Sequence, residues 1–81
     1  MNSKYPTAVF RYVLKAFRLE KRLTQEQLSE RVGVCHSFIG QLETGRKLPS
    51  LEMLFRIAEV LEIPASELVR ELERQWKKTH P

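Results

Sequence analysis

Apolar residues recur along this chain at helical spacing, and nowhere do they alternate with polar ones at period two over a useful length. The pattern predicts an all-α fold of five helices. The first begins near Pro6 or Thr7 and sets Phe10, Val13, Leu14 and Phe17 at i, i+3, i+4 and i+7, a single buried stripe, with Arg11, Lys15, Arg18 and Arg22 on much of the remaining surface. Thr24 opens the second helix with Gln27 three residues on, a capping box in which each side chain satisfies the other residue's free backbone N–H. Gly33 ends it. The third helix runs from about Cys35 to Glu43 and stops at Gly45, whose missing side chain suits a left-handed C-terminal cap. Pro49 and Ser50 start the fourth, with Leu51, Leu54, Ile57, Ala58 and Leu61 expected to point inward, and Ile63 and Pro64 break it. The fifth begins between Pro64 and Ser66 and carries Leu68, Val69, Leu72 and Trp76, with Glu73 and Lys77 spaced for an i, i+4 pair. Only the ends, Met1 to about Tyr5 and Thr79 to Pro81, are expected to be loose.

Composition narrows the class. Eighty-one residues fit one compact domain, and a chain this short gains from self-association. No apolar run approaches the roughly 20 residues of a membrane span, and no cleavable leader pattern follows Lys4, so a cytoplasmic protein is expected. With Cys35 as the sole cysteine, neither an internal disulfide nor a Cys-rich zinc site forms. Fourteen Lys and Arg against ten Glu and no Asp give a net charge of +4, which suits a polyanionic partner. The charge is also divided: residues 1–25 hold six basic residues and only Glu20, whereas residues 48–73 hold six Glu against Arg56 and Arg70. A basic N-terminal half is therefore expected to face phosphate.

Residues 25–42 meet every requirement of two short helices crossing steeply. Leu28, Val32, Val34, Ile39 and Leu42 are apolar where these helices and the first meet; Ser29 is small where the axes come closest; Gly33 accepts the positive φ of a tight turn. An arbitrary helical hairpin meets one or two of these conditions. On Leu14 and Arg18, Thr24-Gln25-Glu26-Gln27-Leu28, Gly33-Val34, Ile39, Leu42, Glu43, Gly45, Pro49-Ser50-Leu51, Ile57-Ala58 and Leu61, the chain resembles the Cro/repressor, or XRE-type, helix-turn-helix regulators, from about Phe10 to Leu68. Members of this size include phage repressors, restriction-modification controller proteins and antitoxins.

The resemblance implies a recognition helix in the major groove of double-stranded DNA, with no cofactor and no metal. His36, Ser37, Gly40 and Gln41 match positions that face base edges. Gln25 matches a position that contacts phosphate and buttresses the recognition helix; Arg46 and Lys47 match phosphate contacts in the following loop, to which Phe38 and Thr44 are added. Arg18 and Glu43 match a buried ion pair that leaves Arg18 free to lean toward phosphate. Chemistry supports these assignments unevenly. A Gln41 amide can pair bidentately with adenine, a contact worth roughly 1–3 kcal/mol of discrimination. His36 can donate to guanine or to phosphate, and Ser37, with one short hydroxyl, to either. Phe38 either packs on a sugar or thymine methyl or plugs the helix edge. Cys35 stands at an N-cap, where sulfur accepts poorly; it is either a small space-filler or a redox-sensitive thiol. Gly40 costs roughly 1 kcal/mol in mid-helix relative to Ala, which close approach to DNA or plain drift explains.

The apolar strip Leu68, Val69, Leu72 and Trp76 is longer than a five-helix core is expected to cover, so residues 64–78 are expected to pair two copies through this helix and the corner between the fourth and fifth. The alternative is that the tail folds back on its own first helix. A homodimer would place two recognition helices about 34 Å apart and require a pseudo-palindromic operator. A different class of function, an adaptor that binds a protein through Trp76 and the acidic helices, stays open. An enzyme is not expected: with His36 and His80 far apart, no Asp, and no base beside Cys35, no nucleophile or metal constellation assembles.

Overall fold

A computed structural model of the chain describes residues 5–81. Pro6–Val9 form a 3-10 turn that runs directly into α1 (Phe10–Glu20); α2 (Gln25–Val32), α3 (His36–Glu43), α4 (Leu51–Val60) and α5 (Ala65–Thr79) follow. Most of the expected N-terminal end, Met1 to Lys4, lies outside the described residues.

Local signals start and stop these helices where the chain has the right atoms. At Thr24 the hydroxyl accepts from the Gln27 N–H at 3.0 Å while the Gln27 side-chain oxygen accepts from the Thr24 N–H at 2.9 Å, completing the capping box. Ser50 caps α4 by accepting from the Met53 N–H. Cys35 makes no side-chain cap bond at α3. Gly33 (φ 87°) and Gly45 (φ 78°) supply the left-handed residues after α2 and α3. After α1 and α4 the same conformation falls on Arg22 (φ 57°) and Glu62 (φ 60°), each held by a bond six residues wide: Leu23 N–H to Arg18 C=O and Ile63 N–H to Ala58 C=O.

Every helix contributes to one core. Phe10 and Leu14 from α1, Leu28 from α2, Ile39 and Leu42 from α3, Ile57 from α4 and Leu68 from α5 are fully buried, with Leu61 at the α4–α5 corner. α2 and α3 pack on each other, α1 lies across α3, and Ser29, buried at 2% exposure, turns its hydroxyl back to the Glu26 carbonyl. The expected inward set of α4 fails only at its first member: Leu51 is 72% exposed, whereas Ile57, Ala58 and Leu61 are buried and Leu54 packs half-buried against the core.

The C-terminal helix departs most from expectation. Leu68 (0% exposed) and Leu72 (7%), expected to face a second copy, are covered by the chain itself, because α5 folds back against α1 and the Pro6–Val9 turn. Trp76 is half-buried, and its ring stacks on His80 with centroids 4.4 Å apart and planes 5° from parallel. Of the expected interface residues, only Val69 stands open, at 41%. The physical reason is the 3-10 turn: it lengthens the first helical segment by four residues and brings Val9 and Phe10 over the strip. Glu73 and Lys77 do not pair; the carboxylate of Glu71 takes Arg74 at 2.6 Å and Gln75 at 2.9 Å instead. Arg74, the nearer cation, and the Gln75 amide hold the Glu71 carboxyl below the usual glutamate range. Helix persists through Thr79, whose hydroxyl returns to the Trp76 carbonyl.

Candidate nucleic-acid interface

At about 100° per residue, His36, Ser37, Gly40, Gln41 and Thr44 fall within roughly 140° of arc on α3, opposite Ile39 and Leu42. Ile39 and Leu42 are both fully buried, so the other five positions form the helix's outward face. His36, Ser37 and Thr44 are exposed; Gly40, Gln41 and Phe38 are half-buried, and Phe38 packs against the edge of the core. The imidazole of His36 and the amide of Gln41 have no hydrogen-bond partner among the described residues. The Ser37 hydroxyl lies 3.5 Å from Cys35 Sγ and holds the exposed Cys35 thiol below the ordinary thiol range. Gly40 faces α2: a Cβ built there would meet only the Gln25 side-chain oxygen, at 3.8 Å, an ordinary contact.

Three helices converge under this face on one carboxylate. Arg18 of α1 donates from Nε to Glu43 Oε2 at 2.7 Å and from Nη2 to Oε1 at 2.9 Å, while Gln25 at the first turn of α2 donates to the same Oε1 at 3.1 Å. The third arm of Arg18, Nη1, donates to the Leu23 carbonyl at 2.7 Å. This fork is bidentate and enclosed, with side chains 8% and 3% exposed, and Glu43 drives the Arg18 pKa upward. The expected ion pair is therefore present, but the expected phosphate contact by Arg18 is not available: all three guanidinium nitrogens are engaged inside the protein. Gln25 acts as a buttress through its amide nitrogen, which leaves its oxygen facing Gly40.

The C-terminus of α3 hands the chain to a short basic loop. The Gln41 carbonyl accepts from both the Arg46 N–H (2.9 Å) and the Lys47 N–H (3.2 Å), so the backbone turns sharply at Gly45. Both side chains, Arg46 and Lys47, point into solvent with no internal partner among the described residues. They follow the outward face of α3 directly along the chain.

Two arginines outside the expected set organise this region. Arg56, one of two cations in the acidic segment, reaches back from α4 to the Val32 carbonyl at the end of α2, against Gly33. Arg11 of α1 donates to the Thr44 carbonyl at 3.3 Å and lays its aliphatic stem over Gly45. Positive charge is the only trace of these roles in the sequence, since the partners lie 24 and 33 residues away.

The chain matches the helix-turn-helix family over residues 14–68. It is 40% identical over 55 residues to the HTH-type transcriptional regulator YazB of Bacillus subtilis, covering 68% of this chain and 80% of that protein. It is also 40% identical over 58 residues to the immunity repressor of Bacillus phage phi105, covering 72% of this chain and 40% of the repressor. The crystal structure of the restriction-modification controller protein C.AhdI from Aeromonas hydrophila superposes with a TM-score of 0.73 at 32% identity, over 76% of this chain and 94% of that one. The match covers the crossed pair α2 and α3, the Arg18–Glu43 fork and the core of α4: the chain belongs to the helix-turn-helix family, as a transcription regulator of the XRE type.

Proposed function

We propose that this protein is a sequence-specific, repressor-like DNA-binding regulator that acts as a homodimer on a pseudo-palindromic operator, with α3 in the major groove. The outward face of α3 carries the reading: a packed helix whose exposed side presents the unpartnered His36 imidazole and Gln41 amide and ends beside two solvent-directed cations. Gln41 reads a base, His36 and Ser37 contact bases or phosphate at the start of the helix, and Gly40 lets the backbone approach closely. Arg46, Lys47 and Thr44 engage phosphate, Phe38 borders the sugar edge, and Gln25 holds the recognition helix through Glu43. The names borne by the phage phi105 repressor and the C.AhdI controller protein support a regulatory output of this kind.

Pairing of copies is assigned to the corner of α4 and α5. Leu51 (72% exposed), Phe55 (58%) and Val69 (41%) surround a shallow apolar groove floored by Leu54 and Ala65. Exposed apolar residues clustered this way mark an interface. Leu68 and Leu72, committed to the core, do not contribute. Phe55→Glu is expected to yield a folded monomer in sedimentation velocity; a persisting dimer would place the interface elsewhere.

Titrating labelled mixed-sequence duplex across a salt series tests the DNA reading. Each phosphate neutralised lowers the slope of log K against log salt by about 0.9, so Arg46 and Lys47 from two copies require a slope of about −3.6 or steeper. No duplex binding, or binding indifferent to salt, would favour the adaptor reading.

A further inference from the structure

The structure assigns Arg11 a positioning role for the proposed DNA interface: it clamps the exit of α3 so that Arg46 and Lys47 are presented to phosphate. The inference rests on the DNA-binding reading above but on different atoms. Its basis is one side chain reaching across the fold to the joint between the reading helix and the basic loop.

Thr44 ends α3, and its carbonyl is one of the groups a helix terminus leaves without an intrahelical partner. Arg11 Nη1 donates to that oxygen at 3.3 Å, while Nη2 donates to the Tyr12 hydroxyl and the guanidinium carbon lies 4.5 Å from the centre of the Tyr12 ring. The guanidinium is thus held on two sides. Its stem covers Gly45 so closely that a Cβ there would come within 3.0 Å of Arg11 Cδ. Gly45 is the left-handed residue (φ 78°) that sends Arg46 and Lys47 back to the Gln41 carbonyl. Arg11 therefore holds the turn through Thr44 and Gly45, apart from those two bonds, and a cleft lined by Thr7, Arg11, Gly45, Lys47 and Leu48 marks the seam. Lysine carries the charge but not the planar fork needed to hold Thr44 and Tyr12 together.

Three variants test this: Arg11→Met, Arg11→Lys and Tyr12→Phe, the last at an exposed ring whose hydroxyl alone is removed. Amide hydrogen exchange is read without DNA, and duplex affinity by anisotropy. In Arg11→Met, exchange of the Arg46 and Lys47 amides should accelerate while core amides stay protected. Duplex binding should weaken at least about tenfold, the scale of one charge-assisted hydrogen bond. Arg11→Lys should recover little of that loss, and Tyr12→Phe should shift both readouts in the same direction by less. In the background of Lys47→Ala, the Arg11→Met loss should shrink, because the cation it positions is gone. Additive losses, or full rescue by lysine, would make Arg11 an ordinary phosphate contact and overturn the proposal, as would unchanged exchange at Arg46 and Lys47. If the wild-type protein fails to bind duplex, the DNA reading falls, and with it the purpose assigned to the clamp.

Discussion

Replacing Glu43 with Gln removes one charge and almost no volume from the point where α1, α2 and α3 meet. The carboxylate accepts three hydrogen bonds, two from Arg18 at 2.7 and 2.9 Å and one from Gln25 at 3.1 Å, in a setting where it is 3% exposed. A glutamine offers one oxygen, and its NH2 group faces the N–H groups of Arg18 or Gln25. The Arg18 charge then stays enclosed without its counterion. Breaking a buried pair from one side costs about 3–5 kcal/mol, and because the fork is only part-buried, its Arg18 side chain still 8% exposed, the lower end, about 3 kcal/mol, applies. Against a total stability of about 4–12 kcal/mol for a chain of this size, that is a quarter or more of the fold. With a urea dependence of about 1 kcal/mol per molar, the unfolding midpoint followed by circular dichroism should fall by about 3 M, or the variant should be largely unfolded in buffer. The double variant Arg18→Met/Glu43→Leu should recover much of the loss, since apolar replacement of both partners removes the unpaired charge. The effect should be flat across the working pH range. Glu43 raises the native Arg18 pKa above its already high unfolded value, so this stabilisation is fully present below that unfolded value and lost only as pH rises through the native one. A Glu43→Gln loss under about 1 kcal/mol, or a double variant as unstable as the two singles combined, would refute the reasoning.

Other perturbations separate the terms that hold the fold and the face. Gly40→Ala should raise stability by up to about 1 kcal/mol, the helix-propensity difference, since the added Cβ meets only Gln25 at 3.8 Å; urea melts read the gain, and duplex titration should read a weaker or redirected contact. Glu62→Gly should relieve a left-handed residue at φ 60° and stabilise by about 0.5–1 kcal/mol, visible as a higher melting temperature, whereas a loss would mean that the Glu62 side chain matters more than its backbone. The Glu71 carboxyl should titrate below the usual glutamate range by NMR and return toward it in Arg74→Ala. Its sign follows: a lowered native pKa contributes stability above the unfolded value of about 4.3, lost as pH falls through the native value, so Glu71→Gln should flatten the acid limb of the stability curve.

Features decided within a few residues were legible in the chain. The Thr24 capping box, the left-handed glycines 33 and 45, the buried stripe of α1 and the apolar faces of α2 and α3 depend on local spacing, and each stands where the spacing put it. Partners across the fold were not legible. Periodicity marks Leu68, Leu72 and Trp76 as apolar on one side of α5 but does not say what lies opposite, which is the chain's own N-terminal turn. It marks Leu51 as the first apolar residue of α4 without telling that its first turn overhangs the core. Arg18 read as a pair with Glu43 through family resemblance, but only its geometry commits the third nitrogen to Leu23 and removes it from phosphate. Arg11 and Arg56, each bound to a carbonyl more than 20 residues away, carry no local signature beyond their charge.

The central claim, that paired outward faces of α3 read a two-fold operator, is tested most directly by selecting bound sequences from a random duplex pool. A pseudo-palindromic consensus is expected, with half-sites centred about one helical turn, roughly 34 Å, apart. Repeating the selection with Gln41→Ala should relax the consensus at one symmetry-related pair of positions. An unenriched pool, or a single half-site unaffected by Gln41→Ala, would contradict it.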